Sequence, residues 1–166
     1  MPEKKTLEAA QEDKREGKAP TTQAGEFVRE EIHHVREGKH GARNPKQAIA
    51  IGLSKARRAG VHLPPPGKGQ SAETRKKAVR DVAKGAKGKS AKPSPKRSRA
   101  RVAVLKREGR GAASRSALSK QTKTAAKKRG SAARSATARK AVKTKGPMAR
   151  KAAARKAART RARRSR

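Results

Sequence analysis

The sequence contains no cysteine, tryptophan or tyrosine, and Phe27 is its one aromatic residue. Without cysteine, neither a disulfide framework nor a thiolate metal site can form. With a single aromatic, and that one claimed by a core, the base-stacking surfaces of RNA-recognition, oligonucleotide-binding and cold-shock modules have no material. Long apolar runs are missing too. The longest aliphatic cluster, Ala48 to Leu53, is far short of a membrane span, and the opening MPEKKTLEAAQEDK carries charges where a secretion signal needs an apolar stretch. A soluble cytoplasmic chain is expected. The last absence is of negative charge: from Gly109 to Arg166, 21 Lys and Arg stand among Ala, Ser, Thr and Gly without one Asp or Glu.

What is present follows the same division. The chain has 166 residues and a net charge of +37; up to Pro64 it holds 13 basic and 9 acidic residues, and beyond it 36 and 3. The first part has the balance of a folded module. The second repels itself, offers few large apolar side chains, and by that reasoning should stay disordered until a polyanion neutralises it.

The expected fold class is therefore mostly α with extensive disorder, in four segments. Residues 1–22 form a disordered leader, with at most a frayed helix over Lys5 to Glu16. Residues 23–66 form a small helical hairpin. In it Val28, Ile32 and Val35 make one helical stripe with Phe27 at its edge, and Gly38 and Gly41 break that helix. Asn44, Pro45 and Gln47 open a second helix as cap, first residue and capping-box partner, and Gly60 with Pro64 to Pro66 closes it. Its apolar arc contains Gly52, which admits a close neighbour, and is interrupted by Lys55. Residues 67–108 form a basic linker with weak helices at Ser71 to Ala83 and Pro95 to Glu108. Residues 109–166 form the basic tail, whose runs Ser114 to Arg129, Ser131 to Lys145 and Met148 to Arg164 are expected to turn helical on binding.

The chemistry implied is neutralisation of nucleic-acid phosphate, without sequence preference. The residues that carry it are Lys96 and Arg97 in the linker and, in the tail, Lys127, Lys128, Arg129, Arg139, Lys140, Arg150, Lys151, Arg155, Lys156, Arg159, Arg161, Arg163 and Arg164. Ser94 to Arg97, preceded by Lys92 and Pro93, can be a basic turn for a minor groove or simply a helix start. A recognition-helix reading of the second helix, with Lys46, Gln47 and Ala50 at bases and Arg57 and Arg58 on phosphate, is disfavoured by the long loop before it. Glu26, Glu30, Glu31 and Glu37 alternate with Arg29, Arg36 and histidines as ordinary surface pairs. His33 and His34 point about 100° apart and cannot share an ion; His33, His40 and His62 could gather only through the fold. No enzyme activity, cofactor or metal is expected.

Two resemblances add to this. Ala125 to Arg129 and Arg150 to Arg159 resemble the lysine/alanine-rich tails of bacterial histone-H1-like proteins, which implies condensation of DNA in the nucleoid. Gly25 to Pro66, with Arg29 to His34 and Lys46 to Leu53, resembles a small bacterial helical domain family of unknown function, which implies no activity. DNA is the expected partner; RNA or the ribosome is the alternative, as is an adaptor whose tail only localises it. Residues 25–63 are left for a homodimer or a protein partner. In a eukaryote, Arg159 to Arg166 would read as a nuclear import signal.

Overall fold

The computed structural model describes residues 2–67, 69–88 and 94–164. Among these there are seven α-helices and no strands. The chain divides into two compact units, Met1–Gln121 and Thr122–Arg166.

The centre of the first unit is the pair α2 (Pro20–Glu37) and α3 (Pro45–Arg58), which pack on each other. Pro20 sits in the first turn of α2, where its missing N–H costs nothing, so the helix starts earlier than its apolar stripe. Gly38, at φ 78°, ends it in the left-handed conformation. α3 opens as its sequence indicates: Asn44 Oδ1 accepts from the Gln47 N–H at 2.9 Å, and Gln47 Oε1 accepts from the Arg43 N–H at 3.0 Å. Gly52 lies against the backbone of α2, and a Cβ there would stand 2.7 Å from Val28 Cα. Ala24, Phe27 and Val35 of α2 and Ala48 and Ala56 of α3 are fully buried, each 1% exposed or less.

The pair does not stand alone. α1 (Lys4–Arg15) packs on α2 and α4 (Ala72–Ala86) on α3. α1 lowers Ala10 into the core of Ala24, Phe27, Ala56, Val61 and Leu63, with Leu7 alongside. It also buries Thr6 and Asp13, the latter tied to Lys18 Nζ at 2.7 Å. α4 is capped by Ser71, whose hydroxyl accepts from the Thr74 N–H, and is joined to α3 by Ser54 Oγ donating to Asp81 at 2.6 Å.

After α5 (Pro95–Arg107) the chain returns to the hairpin loop. The Gly41 N–H donates to the Leu105 carbonyl at 2.9 Å and the Ala42 N–H to Gly109 at 3.1 Å. A 3₁₀ turn, Gly111–Ala113, then inserts Ala112 and Ala113 beside Val35, Ala42 and Ala48, where Arg36 Nε donates to the Ala113 carbonyl at 2.8 Å. α6 (Arg115–Lys128) follows.

The second unit carries α7 (Gly130–Arg164), interrupted at Gly146, whose φ of 65° and ψ of 172° leave the helix immediately before Pro147. Pro lacks the N–H and crowds the preceding turn, and glycine supplies the turn that lets the helix restart.

The expectation of extensive disorder is overturned. The leader is helical through most of its length, and the tail is helical from Arg115 almost throughout. In the leader, buried Ala10, Thr6 and Asp13 replace the large apolar face that the sequence lacks. In the tail, high alanine propensity outweighs repulsion between like charges one turn apart, which is worth only tenths of a kcal/mol per pair.

Candidate functional site

Residues 122–166 hold 18 Lys and Arg and no acidic residue, so none of these cations has a carboxylate side chain within its own unit. Successive residues turn by about 100° along a helix, which spreads Arg150, Lys151, Arg155, Lys156, Arg159, Arg161 and Arg163 over roughly 240° of the circumference, the remaining arc holding Ala149, Ala153, Ala157 and Thr160. All seven are exposed, as are Arg139 and Lys140 earlier in α7. No apolar face competes with them: Val142 and Met148, the large apolar residues of α7, are 44% and 80% exposed. Arg164 belongs to the same helix. Ser165 and Arg166, the end of the Arg159 to Arg166 cluster, lie outside the described residues.

Lys127 and Lys128 form the exposed last turn of α6, and exposed Arg129 follows before α7. Lys96 and Arg97 are exposed in the first turn of α5, within the other unit. Pro95 opens α5, so Ser94 to Arg97 is a helix start, although the Ser94 side chain makes no capping bond; Lys92 and Pro93 lie outside the described residues. On α3, Arg57 is buried and the Gln47 side chain is spent on the cap, accepting from the Arg43 N–H, which removes two residues from any recognition-helix reading.

A different constellation lies inside the first unit. Glu30 and Glu31, expected on the surface, have side chains 3% and 1% exposed. Lys55, the intruder in the apolar arc of α3, reaches both, with Nζ 2.7 Å from Glu31 Oε2 and 3.1 Å from Glu30 Oε1. Burial alone would lower the Lys55 pKa, but the two carboxylates outweigh it and raise it. Burial likewise pushes Glu30 up; a Thr6 hydroxyl, the Glu3 N–H at 3.1 Å and Lys55 pull it below 4.5.

His34 and His40 complete the cluster. His34 Nε2 is 2.7 Å from Glu3 Oε1, and Lys39 Nζ is 3.1 Å from the same oxygen. These bonds, His34 first, hold the Glu3 carboxyl at about 2. His40 Nδ1 lies 3.1 Å from the Gly41 carbonyl, and its Nε2 is 3.2 Å from Glu31 Oε1. His33, by contrast, is exposed and pairs with Glu37, and His62 is exposed elsewhere. The histidines that gather are therefore 34 and 40, not 33, 40 and 62. The sequence carried one sign of this, a lysine in an otherwise apolar arc, which needs a buried anion opposite it.

Residues 14–68 match the model of a family of unknown function (DUF6496), a span that includes α2 and α3 whole. An uncharacterised small domain thus occupies about a third of the chain. No curated protein and no solved structure matches. Among the described residues, no helix is long and apolar enough to cross a membrane.

Proposed function

We propose that the chain is an architectural, sequence-indifferent DNA-binding protein of the nucleoid, similar in its tail to the bacterial histone-H1-like proteins. The observation that carries the reading is the second unit's charge: 18 cations and no anion, with those from Lys123 to Arg163 all exposed. Over 147–164 the rise is about 1.5 Å per residue, or roughly 27 Å for the segment. Eight Lys and Arg fall within it, which is one for roughly every 3.4 Å, the phosphate spacing along one strand of a duplex. Neutralising phosphates releases condensed counterions, and that release drives the binding. Cations spread over roughly 240° of the circumference give α7 a second function: those turned from one duplex are available to another, so the protein bridges as well as coats.

Nothing in this array reads base edges, and the single aromatic is buried in the hairpin, so strand stacking contributes nothing. Lys96 and Arg97 add phosphate contacts from α5. The test is competition at one salt concentration between duplex DNA and structured RNA for the full chain, with light scattering of two differently labelled duplexes to detect bridging. A variant with the eight cations of 147–164 changed to Gln is the comparison. Duplex DNA should compete at least as well as RNA, and bridging should be lost in the variant. Strong preference for RNA would move the reading to an RNA-associated basic protein, and unchanged bridging would remove α7 from it.

A further inference from the structure

We propose that Glu31, His34 and His40 bind one divalent transition-metal ion, with Zn²⁺ the cation that the two imidazoles and one carboxylate suit best. One donor atom from each residue lies within 4.8 Å of the other two. Zn²⁺ holds nitrogen and oxygen at about 2.0–2.2 Å, which puts tetrahedral donors about 3.4 Å apart, so closing on the ion takes side-chain movements of about 1 Å.

The surroundings orient the donors as an ion requires. With its proton on Nδ1, His40 donates to the Gly41 carbonyl and turns the Nε2 lone pair toward Glu31 Oε1. With its proton on Nε2, His34 donates to Glu3 and leaves Nδ1 as the free donor. Outer partners of this kind, a carbonyl for one imidazole and a carboxylate for the other, fix the tautomer of metal-binding histidines. In that state Nδ1 of His34 faces Glu30 Oε1 at 3.9 Å and Nε2 of His40 faces Glu31 at 3.2 Å, lone pair toward anion in both cases.

Glu31 gives the second, independent sign. Its side chain is 1% exposed, yet neither oxygen has a partner with hydrogen-bond geometry. Lys55 covers Oε2 as an ion pair at 2.7 Å but is shared with Glu30, so two buried carboxylates have one ammonium between them. Oε1 is the oxygen left for the metal, on the side away from Lys55 and toward the histidines. His34 comes from α2 and His40 from the loop behind it, so the ion clips the hairpin turn to the helix.

The test uses the full chain, stripped with a chelator and titrated with Zn²⁺ by calorimetry and with Co²⁺ by visible absorption. One ion per chain should bind, and the thermal midpoint should climb with metal concentration. His34→Gln and His40→Gln should each weaken binding at least tenfold, since loss of even an outer partner of a metal ligand costs about 10–100-fold. His33→Gln and His62→Gln should leave it unchanged. Circular dichroism of the metal-free variants establishes that they fold, and X-ray absorption of the Zn²⁺-loaded wild type, which should count two imidazoles, does not depend on any variant. Absence of one-to-one binding up to about millimolar Zn²⁺, full affinity in His40→Gln, or a shell without imidazole would overturn the site and leave the cluster an ion pair.

Discussion

Replacing Lys55 with Met keeps the length and the apolar stem but strips the ammonium from two carboxylates that are 3% and 1% exposed. Removing one partner of a fully enclosed ion pair costs about 3–5 kcal/mol, because the remaining charge stays desolvated. Lys55 is 22% exposed, and Glu30 keeps its bonds from the Glu3 N–H and Thr6, so the lower end applies, about 3 kcal/mol. That is roughly a 150-fold change in the folding equilibrium and a large share of the stability of a small domain. The pH dependence identifies the cause. In the wild type the Glu30 pKa is depressed, so its contribution is present above 4.5 and is lost as pH falls below that value. Without Lys55 part of that depression is gone, so the variant loses less stability than the wild type as pH falls. The two stabilities should therefore converge below pH ~4. Urea unfolding followed by helical circular dichroism at neutral pH and near pH ~4 measures both. A neutral-pH loss under about 0.5 kcal/mol, or an equal loss at both values, would refute the reasoning.

Two further outcomes follow from the first unit. Gly52→Ala gains about 1 kcal/mol of helix propensity but forces Cβ against the Val28 backbone, an overpacking cost of about 1–3 kcal/mol, so a net loss of about 1 kcal/mol is expected in the same unfolding assay. A gain would mean that α2 and α3 are not in close contact there. Glu3, held at about 2 by His34 and Lys39, contributes stability that is present above 4.5 and fades as pH drops toward about 2; Glu3→Gln should flatten the acid side of the midpoint-versus-pH curve. An unchanged acid slope would show that the contact is absent in solution.

The hairpin was legible because its signals are local. Val28, Ile32 and Val35 mark a face, Asn44, Pro45 and Gln47 mark a start, and Gly52 marks a close crossing. The leader was not legible, since the residues that anchor α1 are Thr6, Ala10 and Asp13, small or polar side chains that make no stripe. Ala112 and Ala113 are hidden for the same reason: two alanines in a basic stretch carry no sign that they enter a core with Val35 and Ala48. Glu30, Glu31 and His34 look like surface alternation on one helix and become a buried cluster only when α3 brings Lys55 across. In the tail, the same alanines and lysines state both a propensity for helix and a reason to repel, and sequence alone gave the repulsion too much weight. The basic candidates were legible as composition; their exposure along α7 follows from the absence of a face of large apolar side chains.

The most direct measurement is the salt dependence of duplex DNA binding by the full chain. If about half of the 18 cations of residues 122–166 face one duplex, log affinity should fall against log salt with a slope of about −8, and the variant with the eight cations of 147–164 replaced by Gln should lose roughly half of that slope. A slope near zero, or one that the eight substitutions leave unchanged, would contradict phosphate neutralisation by α7.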